Sequence, residues 1–310
     1  MFKTKVIMDV DTGIDDALAI ILADSFDTIE ICGISTVVGN TSLDNATENT
    51  AFILEHLKLD VPFAKGSALP LNGIKVDEGT AHGSDGLGGV LSKKPTKREY
   101  VDLFEMYENI LRQNEKISII ATGPLTNIAK ILLAYPRFKD KIEKISIMGG
   151  AIHMGNRTAT TEFNIIADPE AAQIVFASGV PIVLAPLDVT YQSFITKKDI
   201  QALRESIHPD HRSLIEMLYV YIDGYQLRTF LEGSPLHDSV AVAALVHPEI
   251  FTTREAYVEV DYSESYTRGT TLVDGLNNLK LNSNATILET IDREAFLRMT
   301  LRSFERFKHA

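Results

Sequence analysis

Residues Val6–Ile20, VIMDVDTGIDDALAI, set an apolar run (Val6–Met8) directly before four carboxylates, Asp9, Asp11, Asp15 and Asp16. The apolar stretch Ala17–Ala23 follows at once, so the pattern reads as a buried strand, a polar turn and a buried helix. No Lys or Arg lies between Lys5 and Lys58, and no side chain nearby in sequence can neutralise the cluster. Carboxylates packed this closely repel one another and either take up protons or bind a cation. Capping and the helix dipole also favour Asp at a helix N-terminus, which accounts for one or two of the group but not for all. The segment predicts a hard-cation site at the carboxyl end of a strand.

The same alternation continues along the chain. Short β-branched runs (Lys5–Asp9, Ile29–Val38, Val61–Ala64, Ile117–Ala121, Ile145–Met148 and Pro181–Leu184) alternate with helix-length segments (Ile14–Ala23, Leu43–Leu57, Leu103–Gln113, Asn127–Ala134 and Pro169–Ala177). This order predicts parallel βαβ units, and so an α/β fold with a single open, mostly parallel sheet flanked by helices. Asp168-Pro169 supplies a cap and a proline at the first helical position. Residues 187–250 predict a mostly helical, variable segment with a long amphipathic stretch at Asp210–Leu231. Residues 256–291 predict a strand and hairpin region, and 293–307 a closing helix. Gly-rich Asn72–Gly89 reads as a functional loop or lid. No repeat or linker interrupts residues 1–310, so one domain is expected.

Ligands of such sheets bind beyond the carboxyl ends of the strands. Asp9 and Asp11, Gly39-Asn40, Thr122-Gly123-Pro124 and Gly149-Gly150 each follow a predicted strand, so residues distant in sequence converge on one crevice.

The 310 residues are 45% hydrophobic and 23% charged, which suits a soluble chain with a sizeable core. A net charge of −12 and a pI near 5.2 argue against a nucleic-acid partner, because no basic field would gather phosphates. Cys32, the one cysteine, lies in an apolar run and reads as a buried small hydrophobe; no disulfide can form within the chain. No apolar run reaches the length of a membrane span, and no cleavage-type leader opens the sequence, so a cytoplasmic protein is expected.

Three constellations carry chemistry. DVDTGIDD is not an EF-hand loop, since Gly13 stands at the fifth position and Ile20 where a bidentate Glu is needed. It also resembles the DxD signature of haloacid-dehalogenase-type phosphatases, but Gly13 replaces the expected Thr or Val, and that metal-dependent phosphatase is the runner-up. Residues His153–Ala172 bring Asn156, Glu162 and Asn164 together; amides and a carboxylate suit a polyol, although loop Asn residues often bond their own backbone. Leu236-His237-Asp238-Ser239 opens an apolar helix, where Asp238 reads as an N-cap when taken alone. A free histidine titrates at about 6.5, so His82 or His237 would be able to donate a proton near neutrality.

Taken together these segments resemble the inosine–uridine-preferring nucleoside hydrolases. DVDTGIDDALA, STVVGN, HGSDGLGG, TGPLTNIA, IMGG, TEFNIIADPEAA and LHDSVAV follow in the family's order, with Leu18 a small departure from the usual Val or Ile. The resemblance implies a Rossmann-like fold and a Ca²⁺-dependent N-ribohydrolase of nucleoside salvage, as a homodimer or homotetramer acting on a small-molecule ribonucleoside. It implies Ca²⁺ ligands at Asp11, Asp16, Asp238 and the Thr122 carbonyl. Asp11 would be the general base and Asn40 would orient the water. Asp15 and Asn164 would meet the 2′- and 3′-hydroxyls, Asn156 and Glu162 the 5′ side, and Met148 the underside of the sugar. His237 would be the leaving-group acid, His82 would line the base or 5′ region, and Tyr221 and Tyr225 would flank the base. For each tyrosine, ordinary helix packing is an equal alternative. The chain has no tryptophan, which disfavours relatives that stack the base between indoles. A non-catalytic ribonucleoside-binding protein on the same fold is the remaining alternative.

Overall fold

Val6, Ile7, Met8 and Val10 are all fully buried, so the strand Thr4–Val10 (β1) carries apolar side chains on both faces. Only a strand inside a sheet covered by helices on both sides needs that. The computed structural model describes residues 3–74, 82–89, 98–228 and 231–309. After β1 come α1 (Ile14–Ser25), β2 (Ile29–Thr36), α2 (Leu43–Leu57), β3 (Phe63–Lys65), α3 (Leu103–Gln113), β4 (Ile117–Ala121) and α4 (Thr126–Ala134). The chain continues through β5 (Ile142–Met148), α5 (Phe163–Ala167), α6 (Pro169–Phe176), β6 (Ile182–Ala185) and α7 (Leu187–Thr190). It then runs through β7 (Phe194–Ile195), α8 (Lys197–Ser206), α9 (Arg212–Arg228), β8 (Ser234–Pro235) and α10 (His237–Val246). The last elements are β9 (Phe251–Val260), β10 (Thr271–Asp274), β11 (Ala285–Ile291) and α11 (Arg293–Ser303).

Among the described residues nine strands form one open sheet in the order β10-β9-β11-β6-β5-β4-β1-β2-β3. The stretch from β11 to β3 is parallel, whereas β9 pairs antiparallel with both β10 and β11. The expected hairpin region is thus an antiparallel extension of the main sheet. Val6, Met8 and Val10 pack on one core with α1 and α9–α11, and Ile7 on the other with α3, α4 and α6. The alternation of β1 therefore assigns its neighbours to two layers.

Element ends differ from the sequence reading where pairing stops. β2 ends at Thr36 rather than Val38, because its register with β1 runs out at Val10↔Thr36 and the chain turns toward Asn40. β6 begins at Ile182, one residue after Pro181, which has no N–H for the ladder. The expected Asp168 cap is present, accepting from the Ala171 N–H at 3.1 Å. Residues 187–250 are mostly helical, with β7 and β8 forming a two-residue ladder between α7 and α10. The long helix runs Arg212–Arg228; residues 229–230 of the expected Asp210–Leu231, and 75–81 of the expected loop, lie outside the described residues. Cys32 is half-buried rather than buried. Among the described residues no helix is long and apolar enough to cross a membrane.

Candidate active site

Two helix N-termini meet beyond the end of β1. Asp15 and Asp16 stand in the first turn of α1, and Asp238 in the first turn of α10. One carboxylate oxygen from each lies within 4.8 Å of the others, and all three residues are buried. Asp16 is held hardest, accepting from Gly13 N (2.9 Å), Asp11 N (3.2 Å), Thr122 Oγ1 (2.7 Å) and Asn40 Nδ2 (3.2 Å). The fully buried Asp11 carboxylate accepts from Asn40 N at 2.6 Å and Asn40 Nδ2 at 3.3 Å. Asp15 Oδ2 accepts from the Tyr221 hydroxyl at 3.2 Å. Asp15 Oδ1 and Asp238 Oδ2 are buried without a hydrogen-bond partner among the described residues.

This geometry is costly without a counter-charge. Burial first, then the neighbouring carboxylates, raises Asp11 and Asp238 well above the ordinary range. Burial likewise pushes Asp15 up to about 6, and raises Asp16. Orphaned buried carboxylate oxygens that repel one another are what a divalent cation would satisfy, and the donors are all hard oxygens. The residues fit such an ion. The close trio is Asp15, Asp16 and Asp238, while Asp11 is held by both Asn40 nitrogens. The Thr122 carbonyl accepts from Asn164 Nδ2 at 2.7 Å. Asp238 does not cap its helix; Leu236 occupies the cap position.

Above the carboxylates opens a cleft of about 490 Å³. Asn156, Glu162 and Asn164 line one side, with Met148 at the floor. Glu162 is buried and accepts from Gly150 N (3.0 Å), Asn164 N (2.9 Å) and Ile165 N (3.2 Å), while desolvation pushes its pKa up to about 7. Asn164 Nδ2 also donates to the Met148 carbonyl at 3.1 Å, and Asn156 Oδ1 accepts from Phe163 N at 3.0 Å. The other side is aromatic: His82 stacks on Tyr221 with ring centroids 5.4 Å apart, and Tyr225 and Tyr191 meet His237 at 5.9 and 5.5 Å. His82 Nδ1 accepts from Ile14 N at 3.1 Å, and Nε2 lies 3.7 Å from Asp15 Oδ1. His237 Nδ1 is 2.7 Å from Thr190 Oγ1, and Nε2 is 2.6 Å from the Tyr225 hydroxyl.

The expectation that His237 titrates near neutrality does not hold. Burial, with His82 nearby, pushes it down to about 3, so the ring is neutral at physiological pH. Every expected site residue except Asp11 and Asp16 lines the cleft; those two lie buried behind Asn40 and Thr122. The sequence reading missed Arg157, Phe163 and Tyr191, which also line it, and Thr190, which holds His237. Tyr191 follows β6 through the short α7, so extending the strand-end rule to that strand would have found it.

The family model for inosine-uridine preferring nucleoside hydrolases matches residues 6–298. The pyrimidine-specific ribonucleoside hydrolase RihA of Salmonella typhimurium is 37% identical over 296 residues, covering 94% of this chain and 95% of the relative. The RihA of an Enterobacter strain is 36% identical with the same coverage. The solved purine-preferring ribonucleoside hydrolase of Gardnerella vaginalis superposes with a TM-score of 0.91 at 32% identity, covering 98% of this chain and 99% of that one. These likenesses set the phosphatase alternative aside. Matched by the family model and by these relatives along nearly its whole length, the chain belongs to the inosine-uridine preferring nucleoside hydrolase family and is a ribonucleoside hydrolase by class.

Proposed function

We propose that the chain is a Ca²⁺-dependent enzyme of nucleoside salvage that hydrolyses the N-glycosidic bond of ribonucleosides, releasing ribose and the free base. The observation that carries this reading is the convergence of Asp15, Asp16 and Asp238 beneath a cleft whose two walls are chemically opposite. Asp11, Asp16, Asp238 and the Thr122 carbonyl, with Asp15 adjoining, would hold the ion; an all-oxygen set of this charge suits Ca²⁺. When bound, the ion supplies the positive charge that lets these carboxylates stay ionised together and makes nearby water more acidic.

The remaining chemistry belongs to the side chains. Asp15 and Asn164 take the 2′- and 3′-hydroxyls, while Asn156 and Glu162 take the 5′ side. Asp11, fixed by both Asn40 donors, accepts the proton of the attacking water. The water oxygen bonds C1′ as the C1′–N bond breaks, its electron pair staying on the base nitrogen. The buried carboxylates favour positive charge on the sugar without having to move. Direct attack inverts C1′. The base leaves between His82, Tyr221, Tyr225 and His237, and the proton it needs comes from the neutral His237–Tyr225 pair.

The named relatives differ in base, pyrimidine in two and purine in the third, so base preference rests on this aromatic wall. We read the enzyme as a cytoplasmic homodimer or homotetramer. The deciding experiment is reducing-sugar release from inosine, uridine, adenosine, guanosine and cytidine, with chelator and then with Ca²⁺ restored. Ribose released only with Ca²⁺ is the expected result. Binding of nucleosides without release would make the chain a non-catalytic binder.

A further inference from the structure

Tyr191 has no part in the scheme above, yet it lines the cleft with His237 and Tyr225. It caps the C-terminus of α7, immediately after Thr190. Its ring meets His237 edge-on, with centroids 5.5 Å apart and planes at 78°. Its hydroxyl is hydrogen-bonded by Tyr225, the same residue whose hydroxyl lies 2.6 Å from His237 Nε2. Thr190 holds the opposite nitrogen, Nδ1, at 2.7 Å. Four side chains from three elements thus form one line: Thr190, His237, Tyr225, Tyr191.

Counting protons shows what the line does. The Thr190 hydroxyl can donate to His237 Nδ1 at 2.7 Å, which leaves the ring proton on Nε2. Nε2–H then donates to the Tyr225 oxygen, and the Tyr225 hydroxyl donates to Tyr191. A phenol rotates freely about its C–O bond, so the position of the Tyr225 proton depends on having both neighbours. Burial, with the Glu162 charge nearby, raises the Tyr191 pKa, so its oxygen stays a neutral acceptor for the Tyr225 hydroxyl.

We propose that Tyr191 is a positioning residue for leaving-group protonation, its hydroxyl fixing that of Tyr225 against His237 beside the departing base. The proposal rests on the ribohydrolase reading and adds to it a residue set by α7 rather than by the acidic cluster. It predicts that Tyr191 matters in proportion to how much the leaving group needs a proton. Inosine and uridine lose poor leaving groups; p-nitrophenyl riboside loses a stable anion and needs little help.

The test compares wild type, Tyr191→Phe, Tyr225→Phe and the double variant on the faster of inosine and uridine and on p-nitrophenyl riboside, in Ca²⁺. Tyr191→Phe removes one hydroxyl and keeps the ring, so the melting temperature reports whether packing survives. We expect kcat on the nucleoside to fall about tenfold, the scale of one hydrogen bond, with KM nearly constant. The loss on p-nitrophenyl riboside should be several-fold smaller. The double variant should be no slower than Tyr225→Phe alone, because both changes break one line. Equal losses on both substrates, or losses that multiply in the double variant, would overturn the proposal and leave Tyr191 a packing residue. Wild type inert on every substrate would instead overturn the ribohydrolase reading, and this proposal with it.

Discussion

A Cβ at Gly39 would sit 2.0 Å from Asp11 Oδ2 and 2.9 Å from Pro124 Cδ. Glycine is required there by proximity, since the backbone must pass close enough for Asn40 N to reach the carboxylate. Gly39→Ala is expected to displace Asp11 by an ångström or so and to cut ribose release by about 100-fold or more. The circular dichroism spectrum should stay native, and unchanged turnover would show that the position of Asp11 is immaterial. Other residues divide along the same line. Asp11, Asp16 and Asp238 were legible as a set because carboxylates without counter-charges are chemically conspicuous. Tyr191 was not, because nothing in LDVTYQS marks a tyrosine that will face a histidine forty-odd residues later.

At the scale of elements, Asn127 shows how the strand ends are tied together. It sits in the first turn of α4, yet its Nδ2 donates to Asp9 Oδ1 at 2.8 Å and to the Thr36 carbonyl at 3.0 Å, while its Oδ1 accepts from Ser67 N at 2.9 Å. One side chain thus joins the end of β1, the end of β2 and the turn after β3. Asp9, also bonded by Ser35, is pushed up to about 7 by burial and is half of this knot. Asn127→Ala would strand the buried Ser67 N–H and take one donor each from Asp9 and the Thr36 carbonyl, which keep Ser35 and Gly66 N, and a loss of about 1–3 kcal/mol in urea unfolding is expected. A loss below about 0.5 kcal/mol would mean that water replaces the amide at no cost. TGPLTNIA identified the turn and helix, but which strands the Asn would bridge depended on sheet order.

Across the whole molecule, the acidic interior makes stability depend on pH and on the cation. Asp9 and Glu162 are pushed up to about 7 and Asp15 to about 6, each by burial. Their folded pKa values exceed their unfolded ones, so between about pH 4 and 7 the native state holds protons that the unfolded chain has lost. Cation-free stability therefore falls as pH rises through that window. Ca²⁺ should reverse the loss at pH 8, by about 4 kcal/mol at a thousandfold excess over its Kd, and do much less at pH 5, where protons compete. Melting temperatures with chelator and with Ca²⁺ at the two pH values measure this directly. A chelated protein that melts higher at pH 8 than at pH 5 would contradict it.

The local sequence by itself determined the α/β alternation, the parallel core of the sheet, the acidic strand end and the loop that carries Asn156, Glu162 and Asn164. Each is a short-range signal: hydrophobic period, capping chemistry, or like charges with no counter-ion in reach. Only the tertiary structure decided which three carboxylates share one point, that β9–β11 extend the main sheet, and that His237 is buried and neutral. Those outcomes depend on which helices pack together and how far water is excluded, and burial, unlike periodicity, belongs to no single stretch of chain.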